Sequence, residues 1–80
     1  MHLEKINRHQ EIILNTLIKF RGDPLSTREI AKKTGINWEL TSRCLQILYG
    51  KRKTVHKIER KNITLWYFSY KYHDRDFYHN

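Results

Sequence analysis

The sequence predicts an α+β domain in which three helices are followed by a two-stranded β-hairpin. Apolar residues recur at helical spacing in three successive stretches, and a glycine follows each stretch. After residue 53 the composition changes to two short runs of β-branched and aromatic residues. Eighty residues can build one small core, so we expect a single domain over residues 1–70 and a C-terminal tail over residues 71–80.

The first helix is predicted over residues 4–20. Glu4 lies near its start, where a negative charge interacts favourably with the helix dipole. Gly22 is expected to end the helix in a left-handed conformation, and Pro24 prevents its continuation. Leu25 is expected to contact the core. A very short strand at this position is one possible conformation. The apolar stripe of this helix consists of Ile6, Ile13, Leu14, Leu17 and Ile18.

The second helix is predicted over residues 26–34. Ser26 and Glu29 have the spacing of a capping box, in which each side chain bonds the backbone N–H of the other residue. Ile30 and Ala31 are expected to face the core. Gly35 is expected to end the helix as a left-handed residue.

The third helix is predicted over residues 38–49, with Asn37 as its cap and Gly50 at its end. Leu40 or Thr41 begins the buried stripe of this helix, and the periodicity leaves open which of the two does so. The stripe then continues through Cys44, Leu45 and Leu48. Its position on this stripe predicts that Cys44 is a small buried side chain rather than a nucleophile.

Residues 54–60 and 63–70 are predicted as the two strands of the hairpin. A tight turn is expected at residues 61–62, because asparagine tolerates a positive φ. Trp66 and Phe68 share one face of the second strand, and this face is predicted to contact the core.

The net charge of +8 indicates an anionic partner, with nucleic acid favoured over an anionic membrane or a charge that only aids solubility. The charge is concentrated in residues 28–61, where ten basic residues stand against three acidic ones and give +7 of the total. A charge that served solubility alone would be spread more evenly along the chain.

The order of helix, helix–turn–helix and basic hairpin resembles the winged helix-turn-helix domains of small transcriptional regulators, including those of archaea, their viruses and plasmids. The resemblance covers residues 4–70. It rests on the sequence LSTREIA at residues 25–31, on Gly35 and Ile36, and on the sequence SRCL at residues 42–45, followed by the hairpin. It implies a transcriptional regulator that binds double-stranded DNA.

In that superfamily the third helix, here residues 38–49, enters the major groove, and the hairpin, here residues 54–69, is a wing on the backbone or minor groove. The residues expected to read base edges are Asn37, Trp38, Glu39, Ser42, Arg43 and Gln46. Those expected to contact phosphates or to act from the wing are Ser26, Thr27, Arg28, Lys32, Lys33, Lys51, Arg52, Lys53, Lys57, Arg60 and Lys61.

Several of these side chains have more than one possible role. Arg43 can pair with guanine or contact a phosphate, and Gln46 or Asn37 can pair with adenine. Glu39 can accept from cytosine or remain an exposed helix charge. Trp38 can stack on a sugar or base, or cover the gap between the third helix and the wing, and packing is the favoured reading.

The sequence predicts no enzyme, cofactor, metal site or small-molecule ligand. It contains no glycine-rich phosphate loop and no combination of nucleophile, base and orienting group. The five histidines lack the spacing of a zinc site: His2, His9, His56, His73 and His79. One cysteine, no apolar run long enough for a membrane and no signal peptide predict a cytoplasmic protein, associated with the nucleoid or, if viral, in the host cytoplasm.

Two other functions stay open. A protein-interaction domain would need an apolar outer face on the third helix, and an RNA or non-B-form DNA binder would use the basic face to read shape. A regulator that binds double-stranded DNA is expected to be a homodimer. Its candidate contacts are the first helix and the aromatic residues Tyr70, Tyr72, Phe77 and Tyr78.

Overall fold

The computed structural model describes residues 6–70, in which three helices pack against an antiparallel sheet. This confirms the predicted α+β class and the order of its three helices. The elements are α1 (Arg8–Lys19), β1 (Leu25–Ser26), α2 (Thr27–Thr34), α3 (Trp38–Lys51), β2 (Val55–Glu59) and β3 (Thr64–Phe68). The predicted tail, residues 71–80, and Glu4 lie outside the described residues.

The sheet has three strands in the order β1-β3-β2, so the predicted two-stranded hairpin is incomplete. β1 pairs with β3, with Leu25 opposite Trp66 and Ser26 opposite Leu65. Two residues are too few to show a strand period, and β1 is extended because β3 provides its hydrogen-bond partners. The third strand attaches the start of α2 directly to the hairpin.

The first helix starts later than predicted, because Asn7 caps it. The Asn7 side chain accepts a hydrogen bond from the Gln10 backbone N–H at 2.9 Å, and the Asn7 N–H donates to Gln10 Oε1 at 3.2 Å. This is a capping box at the spacing N-x-x-Q, and it fixes the start of α1 at Arg8. The helix ends at Phe20, which has a φ of −107°.

Only one of the three predicted glycine stops is correct. Gly35 has a φ of +76° and ends α2 in the left-handed conformation, as predicted. Gly22 has no positive φ, and the turn after α1 begins at Phe20 instead. Gly50 lies inside α3, which continues to Lys51 and has Arg52 as its cap. The side-chain capping signals, which supply specific hydrogen-bond partners, locate the helix starts better than the glycines locate the ends.

Thr41, rather than Leu40, begins the buried stripe of α3. Thr41 is fully buried, and its hydroxyl donates to the Ile36 carbonyl at 3.3 Å. This bond satisfies the polar group inside the core and connects α3 to the turn that precedes it. The predicted burial of Cys44, Leu45 and Leu48 is confirmed.

The core lies between the helices and one face of the sheet. Trp66 and Phe68 occupy that face, as predicted, and are 2% and 6% exposed. The loop between β2 and β3 spans residues 60–63 and is closed by a hydrogen bond from the Arg60 N–H to the Ile63 carbonyl at 2.8 Å. The turn is therefore centred on residues 61–62, as predicted, but among residues 6–70 only Gly35 has a positive φ, so the positive φ expected of Asn62 is absent. The core residues are Ile13, Leu17, Leu25, Ile30, Ile36, Cys44, Leu45, Leu48, Val55, Trp66 and Phe68.

Within residues 6–70 no helix is both long enough and apolar enough to span a bilayer.

Candidate nucleic-acid interface

The outer face of α3 carries a stripe of polar side chains. Glu39, Arg43 and Gln46 are exposed, and Ser42 beside them is half-buried. Their positions follow i, i+3, i+4 and i+7, so they share one side of the helix, opposite the buried stripe that starts at Thr41. The structure therefore brings together four of the six predicted base-reading residues on one accessible surface.

Asn37, a fifth predicted base-reading residue, is the cap of α3. Its side-chain oxygen accepts a hydrogen bond from the Leu40 backbone N–H at 2.9 Å. A paired contact with adenine requires both the oxygen and the amide nitrogen of the side chain. The cap uses one of the two lone pairs of the oxygen and fixes the direction of the side chain, so Asn37 can offer a ligand its amide NH₂ and the second lone pair.

Trp38, the sixth, is 55% exposed and projects between two concave surfaces. The first, which we call the loop cleft, has a volume of about 620 Å³ and is lined by residues 26–28, Trp38 and residues 60–64. The second, which we call the turn groove, lies over the connection from α2 to α3 and measures about 850 Å³. Arg28 lines both surfaces together with Trp38.

The predicted cations near the start of α3 come from two different elements. Arg28 and Lys32 extend from α2 into the turn groove, and Arg60 and Lys61 belong to the hairpin loop and line the loop cleft. All four side chains are exposed. Chain segments separated by about 30 residues thus place positive charge on both sides of Trp38.

Two predicted DNA-contacting lysines are engaged elsewhere. Lys33 Nζ lies 4.4 Å from the centre of the Phe20 ring, at the end of α1. Lys57 Nζ lies 4.7 Å from the centre of the Tyr49 ring and forms an ion pair with Glu59 at 3.4 Å. The Lys57 side chain is only 23% exposed, because it lies opposite Trp66 in the sheet and shares its face. These contacts give both lysines a packing role that their charge alone does not predict.

Residues 51–53 form a separate basic group at the other end of α3. Lys51 and Lys53 are exposed and Arg52 is half-buried. At 1.5 Å per residue, Lys51 lies about 20 Å along the helix axis from Trp38. The predicted basic surface is therefore divided into one group around Trp38 and another at the far end of α3.

Ser26 and Thr27 hold the site in place. The Ser26 N–H donates to Glu29 Oε1 at 2.9 Å, and the Ser26 hydroxyl accepts from the Glu29 N–H at 3.1 Å, which confirms the predicted capping box. Ser26 is only 7% exposed. The Thr27 hydroxyl accepts a hydrogen bond from Trp66 Nε1 at 3.0 Å, so the first residue of α2 is tied to β3.

The hairpin loop also contributes uncharged residues to the loop cleft, which the sequence analysis did not predict. Ile63, predicted as a strand residue, precedes β3, is 47% exposed and lines the loop cleft. Asn62 and Thr64 line the same cleft. The position of these residues next to a predicted turn was the signal that could have identified them as exposed.

The chemistry of Cys44 agrees with its place in the core. It is 2% exposed, and burial raises the pKa of its thiol above the ordinary value, although the nearby Arg43 opposes this effect. The thiolate, which is the reactive form, is therefore disfavoured at neutral pH. Within residues 6–70 the structure groups no three His, Cys, Asp or Glu side chains in a way that could hold a metal ion.

Comparisons of the chain with protein-family models, with curated protein sequences and with solved structures find no match.

Proposed function

We propose that this protein is a winged helix-turn-helix domain that binds double-stranded DNA sequence-specifically and regulates transcription. In this proposal α3 lies in the major groove, and the hairpin formed by β2 and β3 is the wing on the backbone or minor groove. The observation that carries it is the polar stripe of α3, with Glu39, Arg43 and Gln46 exposed and cations from α2 and from the hairpin loop on either side.

The dimensions of α3 support this placement. An α-helix with its side chains is about 10–12 Å in diameter, which matches the width of the major groove, about 12 Å, and the fourteen residues of α3 make it about 21 Å long. The N-terminal half of the helix can therefore reach base edges while residues 51–53 at its other end lie near the phosphates. The short connection between α2 and α3 at residues 35–37 and the antiparallel pairing of β2 with β3 after α3 also support the proposal.

The base-reading role of Arg43 is the sharpest part of the proposal. A guanidinium can donate two parallel hydrogen bonds to guanine O6 and N7, and each such pair discriminates by about 1–3 kcal/mol against the wrong base. Lysine keeps the charge of Arg43 but does not present the same planar pair of donors.

The experiment is selection of bound DNA from a random pool with the wild-type protein and with the variants Arg43→Ala and Arg43→Lys. We expect the wild type to enrich one motif. Both variants should lose the preference at a single base pair, by about 5- to 150-fold, and Arg43→Lys should retain more overall affinity than Arg43→Ala. A pool that emerges without any enriched sequence would contradict sequence-specific binding.

A homodimer fits the proposal, because paired helix-turn-helix domains read two half-sites. The structure distinguishes between the two candidate dimer contacts, the first helix and the C-terminal aromatic residues. The exposed large hydrophobic side chains among residues 6–70 are Trp38, Ile63 and Tyr70, and none of them lies on α1. Tyr70, at 73% exposure, is thus the better candidate within the described residues, and Tyr72, Phe77 and Tyr78 lie outside them.

A further inference from the structure

The loop cleft contains two of the three exposed large hydrophobic side chains of residues 6–70. Trp38 and Ile63 line it from opposite elements, Trp38 from the start of α3 and Ile63 from the hairpin loop. Single exposed apolar side chains are common on protein surfaces, but two in one cleft indicate a site for an apolar group. Its volume of about 620 Å³ is within the range of about 300–1,000 Å³ found for ligand sites.

Trp38 is exposed because the core ends before it. It lies one turn before Thr41, on the side of α3 from which the buried stripe continues, yet the indole is 55% exposed while Thr41 is fully buried. The indole therefore extends past the core and offers an aromatic surface to a partner. The other tryptophan, Trp66, is 2% exposed and already donates its N–H to Thr27.

The charges around the cleft favour an anionic partner. Arg28, Arg60 and Lys61 line the cleft and are exposed. Within residues 6–70 none of the three forms an ion pair, whereas the nearby Glu59 is already paired with Lys57. A site with an aromatic surface and surrounding cations suits a nucleotide, because the base can stack on the ring and the phosphates can contact the cations.

An intact duplex does not offer the face of a base. In paired DNA each base is stacked between its neighbours, so a protein can reach only base edges in the grooves. The indole of Trp38 can stack only on a base that has left the helix. The cleft is therefore matched to an unstacked nucleotide beside the duplex that α3 contacts.

We infer that the loop cleft holds an unpaired base stacked on Trp38, so that the protein prefers DNA in which a duplex adjoins an unpaired nucleotide. This inference rests on the proposed function, since the same surface of α3 must contact the adjoining duplex. Arg28, Arg60 and Lys61 hold the phosphates of the unpaired nucleotide, and Ile63 covers the far side of the base. The preference tolerates any base, because every base has a face that can stack.

The experiment compares two DNA probes by fluorescence anisotropy: a perfect duplex that carries the motif enriched from the random pool, and the same duplex with one additional unpaired thymine in one strand. The proteins are the wild type, Trp38→Leu and Trp38→Phe. Base–aromatic stacking contributes about 1–3 kcal/mol, so Trp38→Leu should reduce the preference for the bulged probe, measured as the ratio of the two affinities, by about 5- to 150-fold. Trp38→Phe keeps an aromatic ring and should retain most of the preference.

Tryptophan fluorescence gives an independent readout. Because Trp66 is buried, the emission that responds to the bulged probe should come from Trp38, and Trp38→Phe should abolish the response. Stacking should quench this emission with the bulged probe more than with the perfect duplex. Circular dichroism of each variant serves as the control for folding. We expect both Trp38 variants to fold, because Trp38 lies outside the core.

The outcomes separate this inference from the proposed function. Equal affinity of the wild type for both probes, or an equal loss on both in Trp38→Leu, would overturn the inference and leave sequence-specific duplex binding intact. Binding to neither probe would overturn both, and a cleft that docks a protein partner would give this result. A bulge preference that Trp38→Leu removes, accompanied by quenching, would establish the site.

Discussion

Thr27 adds a side-chain hydrogen bond between the start of α2 and β3 to the backbone pairing of β1 with β3. Its hydroxyl accepts from Trp66 Nε1 at 3.0 Å, and Trp66 is almost fully buried. An indole N–H is a donor only, so within the core it needs an acceptor at this position. The bond also fixes the start of α2 relative to β3, and thus one wall of the loop cleft relative to the hairpin that forms the other.

The change Thr27→Val tests this bond. Valine has nearly the same shape as threonine but offers no acceptor, so the Trp66 N–H would be left unsatisfied. We expect the free energy of unfolding to fall by roughly 1–3 kcal/mol, measured by urea denaturation. Thr27→Ser keeps the hydroxyl and serves as the control. If Thr27→Val proves as stable as Thr27→Ser, the bond has no structural importance.

At the scale of elements, the ends of the helices have different physical causes. Ser26, Asn37 and Asn7 each accept a backbone N–H at the start of a helix. Gly35 ends α2 with a φ of +76°, a conformation in which a Cβ would crowd the backbone. Gly50 is an exposed residue inside α3, where the absence of a side chain weakens the helix.

Replacement of these two glycines by alanine should therefore have opposite effects. Gly35→Ala should lower the free energy of unfolding by about 1–2 kcal/mol, because the Cβ of alanine clashes with the backbone in the left-handed conformation. Gly50→Ala should raise it by up to about 0.5–1 kcal/mol, because alanine favours the helix and no neighbouring atom lies within 4 Å of the added Cβ. Thermal or urea unfolding of both variants gives the comparison, and a shift in the same direction for both would contradict the assigned conformations.

The helix starts could be predicted from the sequence because capping depends on residues three positions apart. The box of Ser26 and Glu29 and the cap at Asn37 needed no tertiary information. Asn7 and Gln10 at the start of α1 have the same three-residue spacing, so the start of α1 at Arg8 also has a local signal in the sequence. The very short strand that the sequence allowed at Leu25 is present as β1, but its pairing with β3 was not predictable, because it depends on residues about 40 positions away.

The part of the candidate site that depends on a local sequence pattern was also predictable. Helical periodicity is a local pattern, so it predicts which side of α3 is exposed. The predicted exposure of Glu39, Arg43 and Gln46 on that side is confirmed. The directions of long cationic side chains are decided by the rings near them in space. The contacts of Lys33 with Phe20 and of Lys57 with Tyr49 therefore could not be read from the pattern of charges.

For the whole molecule, the arrangement of charge matters more than its total. The net charge of +8 suggests that many cations could act together, but the structure divides them. One group surrounds Trp38 (Arg28, Lys32, Arg60 and Lys61), another lies at the far end of α3, and Lys33 and Lys57 pack on aromatic rings. Contact of about four to six of these charges with phosphates would give a slope of log affinity against log salt of about −4 to −5.

Lys32 and Lys33 provide a matched test of this division, since they are adjacent in α2 and identical in charge. Lys32 lines the turn groove beside Trp38, whereas Lys33 covers Phe20. In salt titrations of duplex binding, Lys32→Gln should make the slope shallower by about 0.9, the loss of one phosphate contact. Lys33→Gln should leave the slope unchanged and instead lower the free energy of unfolding by about 0.5–1 kcal/mol, through loss of the contact with the Phe20 ring. Because both variants have the same net charge, identical slopes would show that total charge governs binding and that the division into groups does not.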